Sequence, residues 1–180
     1  MSNKEALREL QQRLAQRMQA AREQTQAASW LAVECAGVGL LFSLKQAAEI
    51  FTPVPLKAVP YAQPWLAGVA NLRGGLFTVV DLAAFLGLRA AQRPEVAAAA
   101  AQQARFVSLN PELNINCALL VDRLMGLRSE DSLSPEPADP NAGPRPRFAG
   151  ARMRDPSGRS WQQLDLEALS RHEKFLRIVV

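Results

Sequence analysis

The chain has 180 residues, 48% of them hydrophobic, with 21 Lys and Arg against 17 Asp and Glu and a pI near 9.6. That length suffices for one compact unit of two small sub-barrels or one larger sandwich, and the apolar fraction is ordinary for a globular protein. The first thirty residues are rich in Lys, Glu, Arg and Gln, and no run of about eighteen apolar residues occurs, which argues against a secretion signal or direct membrane insertion and places the chain in the cytoplasm.

Leu7, Leu10, Leu14 and Met18 recur at steps of three and four among Arg, Gln and Glu, the period of a one-sided amphipathic helix over residues 3 to about 27. Residues 1–28 therefore read as a helical segment preceding a main domain over 29–180. The stripe is expected to dock on the body of its own protein, with presentation to a partner helix as the alternative. From Trp30 the pattern changes. Leu31, Val33 and Cys35 alternate with smaller or polar residues, Ala36-Gly37-Val38-Gly39 supplies a turn in which both glycines take positive φ, and Leu40 to Leu44 resumes as a second strand. No third glycine opens a helix afterwards, so a phosphate-binding loop is discounted.

Pro53, Pro55, Pro60 and Pro64 forbid interior ladder hydrogen bonds, so this stretch should cross the surface as short extended pieces. Val69 to Arg73 then leads into the hairpin turn Gly74-Gly75, and Leu76 to Val80 returns. Asp81, Asp122 and Asp165 each follow an apolar strand and are expected to cap short helices by accepting orphan backbone N–H groups; Gly87 is a matching helix stop. Arg89 to Ala104 is an alanine-rich connector, either a short helix begun by Pro94 or a loop. Arg105 to Leu109 and Cys117 to Val121 read as strands, and Ser129 to Arg147, with five prolines, as a long surface loop. Trp161 to Ser170 is a strand and short helix, and Phe175 to Val180 an apolar end.

Little chemistry is visible. Cys35 and Cys117 lie in apolar runs and are expected to be buried free thiols. His172 is the sole histidine and has no ligand-spaced Cys or carboxylates beside it, so no metal or other cofactor is expected and a surface or packed histidine is the default. An enzyme would need a nucleophile, base or metal constellation that these residues do not form. Arg145, Arg147, Arg152, Arg154 and Arg159 crowd one region and raise the alternative of a nucleic-acid-binding small β-barrel. They sit among Pro and Gly without interleaved aromatics, which favours a solvated basic loop and no nucleic-acid partner.

Many short strands with Gly and Pro turns indicate a mainly β barrel or sandwich. Within that pattern, Trp65-Leu66-Ala67-Gly68-Val69-Ala70-Asn71-Leu72-Arg73-Gly74 followed by Phe77-Thr78-Val79-Val80-Asp81-Leu82 resembles the signature of the CheW family of bacterial chemotaxis coupling proteins. The resemblance extends through Val59-Pro60, Leu119-Leu120-Val121-Asp122-Arg123 and Gln163-Leu164-Asp165-Leu166, covering roughly Trp30 to Leu169. The helical extension, the motif's wording and His172-Glu173-Lys174-Phe175-Leu176 are most similar to the PilI type, which serves type IV pilus twitching motility.

The resemblance implies two small five-stranded SH3-like β-barrels with short helices, sharing a core. It implies a non-catalytic adaptor that links the regulatory domain of a CheA-type histidine kinase to the cytoplasmic signalling tip of chemoreceptors and is recruited to membrane-bound receptor arrays. A groove between the barrels would receive the receptor. Glu49 and Arg73 match a Glu and an Arg able to pair beside that groove, with Leu44, Ala47 and Asn71 as further candidates for receptor contact. Ala47 and Ala70 stand where the family usually has larger residues, so a shallower groove is expected. Gly75 likewise replaces a usual side chain at the turn.

Overall fold

The computed structural model describes residues 9–19, 28–89, 102–137 and 143–180. Residues 90–101, most of the alanine-rich connector, lie outside them. The amphipathic segment contains a helix, α1, over residues 9–19, supported by an Arg13–Glu9 pair at i,i+4 (2.7 Å). The expectation that it docks on the body is not met over these residues: Leu10, Leu14 and Met18 are 64, 59 and 54% exposed.

The strands are β1 (Ala28–Cys35), β2 (Val38–Ser43), β3 (Ala47–Phe51), β4 (Leu66–Leu72), β5 (Gly75–Asp81), β6 (Arg105–Leu109), β7 (Cys117–Val121), β8 (Arg123–Ser129), β9 (Ser134–Pro135), β10 (Ala149–Arg154) and β11 (Ser160–Leu164). Three short helices join them: α2 (Leu82–Phe85), α3 (Leu166–Ser170) and α4 (Glu173–Leu176). The order in one sheet is β8-β1-β2-β11-β10-β9 and in the other β3-β6-β7-β5-β4. Most ladders are antiparallel, and the parallel pairs β2–β11 and β5–β7 are reached by long crossovers. The first sheet has six strands rather than five because β9 adds at its margin, where Pro135 needs no partner on its outer side. β9 lies in the proline-rich stretch expected to be a loop, and nothing in the local sequence marks β3, β8 or β10 as strands.

The apolar strand runs have a simple cause. On β1 and β2, Ala32 and Leu41 point inside the first sheet's curl with Leu133 and Trp161, whereas Leu31, Val33, Leu40 and Phe42 point to a core shared with the second sheet. On β5, β6 and β7, Val79, Phe106 and Ala118 fill the second sheet's own curl, while Val80, Val107 and Leu119 join the shared core. Both faces are buried, so hydrophobicity is nearly continuous along these strands. Cys35 and Cys117 are fully buried free thiols in the shared core, and desolvation pushes both up to about 12.

Two turn assignments shift by a residue or two. In the first hairpin only Ala36 and Gly37 take positive φ (49° and 80°). Gly39 belongs to β2, where a Cβ would lie 2.7 Å from Trp161 Cε3; it is glycine because the indole occupies its face. In the second hairpin the two-residue turn is Arg73-Gly74 (φ 49° and 86°), and Gly75 opens β5 opposite Leu72.

Two of the three aspartates cap as expected. Asp81 accepts from Ala84 N, and Asp165 from Glu167 N and Ala168 N. Asp122 caps no helix, because β8 begins at the next residue. Its carboxylate instead accepts from Ala36 N in the first hairpin (2.6 Å) and from Arg89 (2.6 Å), which also donates to Asp81 (3.0 Å). This network ties the ends of both sheets together. The apolar end contributes Phe175, which stacks on Trp65 and meets Phe85 edge-on. His172 is a packed histidine, edge-on to Phe148 at 5.0 Å.

Candidate functional site

Curling of the second sheet brings its two outer strands together. After β3 the chain turns back, and Lys57 exchanges both backbone hydrogen bonds with Val69 of β4 (2.9 Å each). The backbone comes so close that a Cβ on Gly68 would sit 2.6 Å from Lys57 O, and Gly68 also has φ 145°, a value other residues rarely adopt. Gly68 is thus the seam of the closed sheet.

Across that seam Arg73, at the tip of the β4–β5 hairpin, reaches Glu49 on β3 at 2.6 Å. The side chains are 75% and 49% exposed, so the pair is wet. Arg73 also lies over the Phe51 ring (5.8 Å to the centroid), and Phe51 meets Phe77 at 6.4 Å. Exposed Ile50 on β3 and Leu76 on β5 follow Glu49 and Gly75 in sequence, adding apolar surface to the same two strands. The arrangement is a wet ion pair beside two half-buried aromatic rings, with exposed Ile50 and Leu76 on the other face of their strands.

Glu49 is positioned by the backbone: its N–H donates to Ser108 Oγ, and Ser108 Oγ donates to Glu49 O. Neither this clamp nor the aromatic pair under Arg73 was foreseen; only the alternation of β6 with β3 brings Ser108 there. Of the other candidates, Leu44 is 37% exposed in the turn after β2. Asn71 spends its side-chain oxygen on Gly74 N (2.8 Å), fixing the turn that carries Arg73. Ala47 is buried in the shared core and Ala70 in the second sheet's own core. Their small size therefore thins the interior and does not make an external groove shallower. A groove of about 590 Å³ does run between β2, β10 and β11 of the first sheet and the segment after α2, but none of Glu49, Arg73, Leu44, Ala47 or Asn71 lines it.

The arginine cluster splits: Arg145, Arg152 and Arg159 line that groove, and Arg147 and Arg154 do not. Arg154 pairs with Glu136 (2.9 Å), and Arg159 with Glu34 while lying over Trp161. Arg145, Arg147 and Arg152 are exposed. Glu34, only 11% exposed, holds both Arg159 and Arg123, and the Arg159 hydrogen bond leads the effects that lower its pKa.

A family model, the CheW-like domain, matches residues 29–174. The chain belongs to the CheW-like family. Its sequence is 25% identical over 170 residues to Protein PilI of Pseudomonas aeruginosa, covering 93% of this chain and 89% of that protein. The fold is similar to the crystal structure of the scaffolding protein TtCheW from Thermoanaerobacter tengcongensis, with a TM-score of 0.63 at 18% identity, over 82% of this chain and 94% of that one. The two sheets of this CheW-like domain thus correspond to the paired small barrels expected from the motif. No helix among the described residues is long and apolar enough to cross a membrane.

Proposed function

We propose that this CheW-like chain is a non-catalytic adaptor that couples methyl-accepting-type chemoreceptors to a CheA-type histidine kinase in the cytoplasm, in a chemosensory pathway controlling type IV pilus twitching motility. Membership of the CheW-like family supports the adaptor role, and the likeness to Protein PilI supports the pilus branch. The observation that carries the binding site is the wet Glu49–Arg73 pair, with Arg73 over the half-buried Phe51 ring. Exposed pairs contribute about 0 to 1 kcal/mol to stability, so this one is free to exchange its charges with those of a partner at little cost to the fold.

The receptor's helical signalling tip would set its charges against Arg73 and Glu49, with exposed Leu44 as a further contact. Purified kinase and receptor signalling fragment, mixed with the chain, are expected to co-elute with it and to show raised kinase activity. Arg73→Glu should weaken the receptor complex by about tenfold, and adding Glu49→Arg should partly restore it, with circular dichroism unchanged. Absence of a complex between the wild-type chain and either partner would sink the proposal.

A further inference from the structure

The groove left unassigned above begins at the Ala36-Gly37 turn, whereas the Glu49–Arg73 face lies beyond Ser43, so the two occupy opposite ends of β2. Its floor includes Val38 of β2 and Leu86 and Leu88, which follow α2; Val38 and Leu88 are each 38% exposed. Every charged side chain lining it is basic: Arg145, Arg152 and Arg159. Arg73, Arg89, Arg123 and Arg154 are matched by carboxylates, whereas Arg105 and Arg128 spend their guanidinium groups on backbone carbonyls. Arg159 is held by Glu34, but Arg145 and Arg152 have no ion-pair partner among the described residues.

We infer that this groove is a second docking site, taking an acidic peptide segment of a partner protein that carries at least one large aliphatic side chain. The inference does not depend on the adaptor reading. Carboxylates of the segment would meet Arg145 and Arg152, which can form bidentate pairs with them. An aliphatic side chain would cover Val38 and Leu88 and remove their exposed surface from water. A phosphate chain would leave that aliphatic floor unused, and the lining aromatic Phe148 is buried at 6% exposure, so it offers no stacking surface to a base. A peptide fits both features; a nucleic acid fits one.

A random dodecapeptide library displayed on phage, selected on the full chain and counter-selected on Arg145→Glu/Arg152→Glu, tests this directly. Enriched peptides should be net negative with a Leu, Ile or Met among their carboxylates. Synthesised as fluorescent probes, they should bind the double variant about tenfold or more weakly and lose affinity between about 50 and 300 mM salt. In the wild-type chain they should shift the backbone amide resonances of Val38 and Leu88, an observation that needs no variant. Arg73→Glu should leave their affinity unchanged, which separates a failure here from a failure of the adaptor reading. Failure to enrich any peptide would overturn the inference, as would winners that are neutral or basic or that bind the double variant equally. Displacement of the probes by equimolar oligothymidylate or inorganic phosphate would also overturn it, showing a site for anions alone.

Discussion

Arg73 performs two tasks that pull against each other. As the first residue of a two-residue hairpin turn it must hold φ near 49°, a conformation that costs a non-glycine residue about 1 kcal/mol or more. Its neighbour Gly74 meets the same demand without that strain. The guanidinium recovers little through Glu49, since the pair is wet. Replacing Arg73 with Gly relieves the turn and loses the pair, so the two effects largely offset, and the melting temperature is expected to change by no more than a few degrees, equivalent to about 1 kcal/mol. Receptor coupling by the same variant should fall as it does for Arg73→Glu. A loss of coupling that tracked a loss of stability would assign Arg73 to the fold and not to recognition. Ala36 shares the strained conformation in the first hairpin, so the backbone outlier alone says nothing about function. What distinguishes Arg73 is where its side chain goes.

At the scale of elements, the decisive contact is the seam between β4 and Lys57 in the segment that follows β3. Without it the second sheet would be an open ribbon with two exposed edges, and Glu49 and Arg73 would stand on opposite margins. Gly68→Ala places a Cβ against Lys57 O at 2.6 Å on a backbone already at φ 145°. Neither backbone segment can yield without breaking the paired hydrogen bonds, so the variant is expected to lose about 1 to 3 kcal/mol in chemical denaturation. Gly143→Ala is the control: nothing lies within 4 Å of its Cβ position, and its stability should change by less than about 0.5 kcal/mol. Equal effects of the two would show that the seam does not depend on glycine. A different side chain joins the remaining elements: Gln46, between β2 and β3, donates to Asp165 and accepts from Leu166 N, fastening the start of α3 to the turn between those two strands.

For the molecule as a whole, pH reports on how the first sheet is pinned. Glu34 on β1 bridges Arg123 on β8 and Arg159 just before β11, and its pKa in the folded chain lies below the ordinary 4.5. Asp155 accepts from Ser157, Arg159 N and Trp161 Nε1 at the β10–β11 turn, and the Ser157 hydroxyl leads the effects that lower it from 3.8 to about 2. A carboxylate that binds its proton less readily when folded adds stability that is complete above its unfolded pKa and disappears as pH falls through the folded one. Stability is therefore expected to decline below about pH 4.5, with Asp155 contributing in the lower part of the range, from 3.8 towards 2. Glu34→Gln should flatten the upper part of that decline and Asp155→Asn the lower part, measured as denaturation midpoints between pH 6 and 2. Identical acid profiles for all three proteins would show that other carboxylates govern the limb.

Local chemistry determined much of this protein. The strands over 105–109 and 117–121, the caps at Asp81 and Asp165, the stop at Gly87 and the buried thiols follow from periodicity, capping geometry and burial, which act over a few residues. The signature from Trp65 to Leu82 pointed to the family, and the resemblance named Glu49 and Arg73 as partners. Tertiary structure decided what depends on residues far apart in the chain. It set Gly39 against Trp161, turned Asp122 from a helix cap into a link to Ala36 and Arg89, and buried Ala47 and Ala70 in two different cores. It also recruited β9 from a proline-rich stretch and left the stripe of α1 exposed. Such outcomes rest on which backbone edge or side-chain face another segment occupies, and that is settled only when the two sheets curl and pack on their shared core.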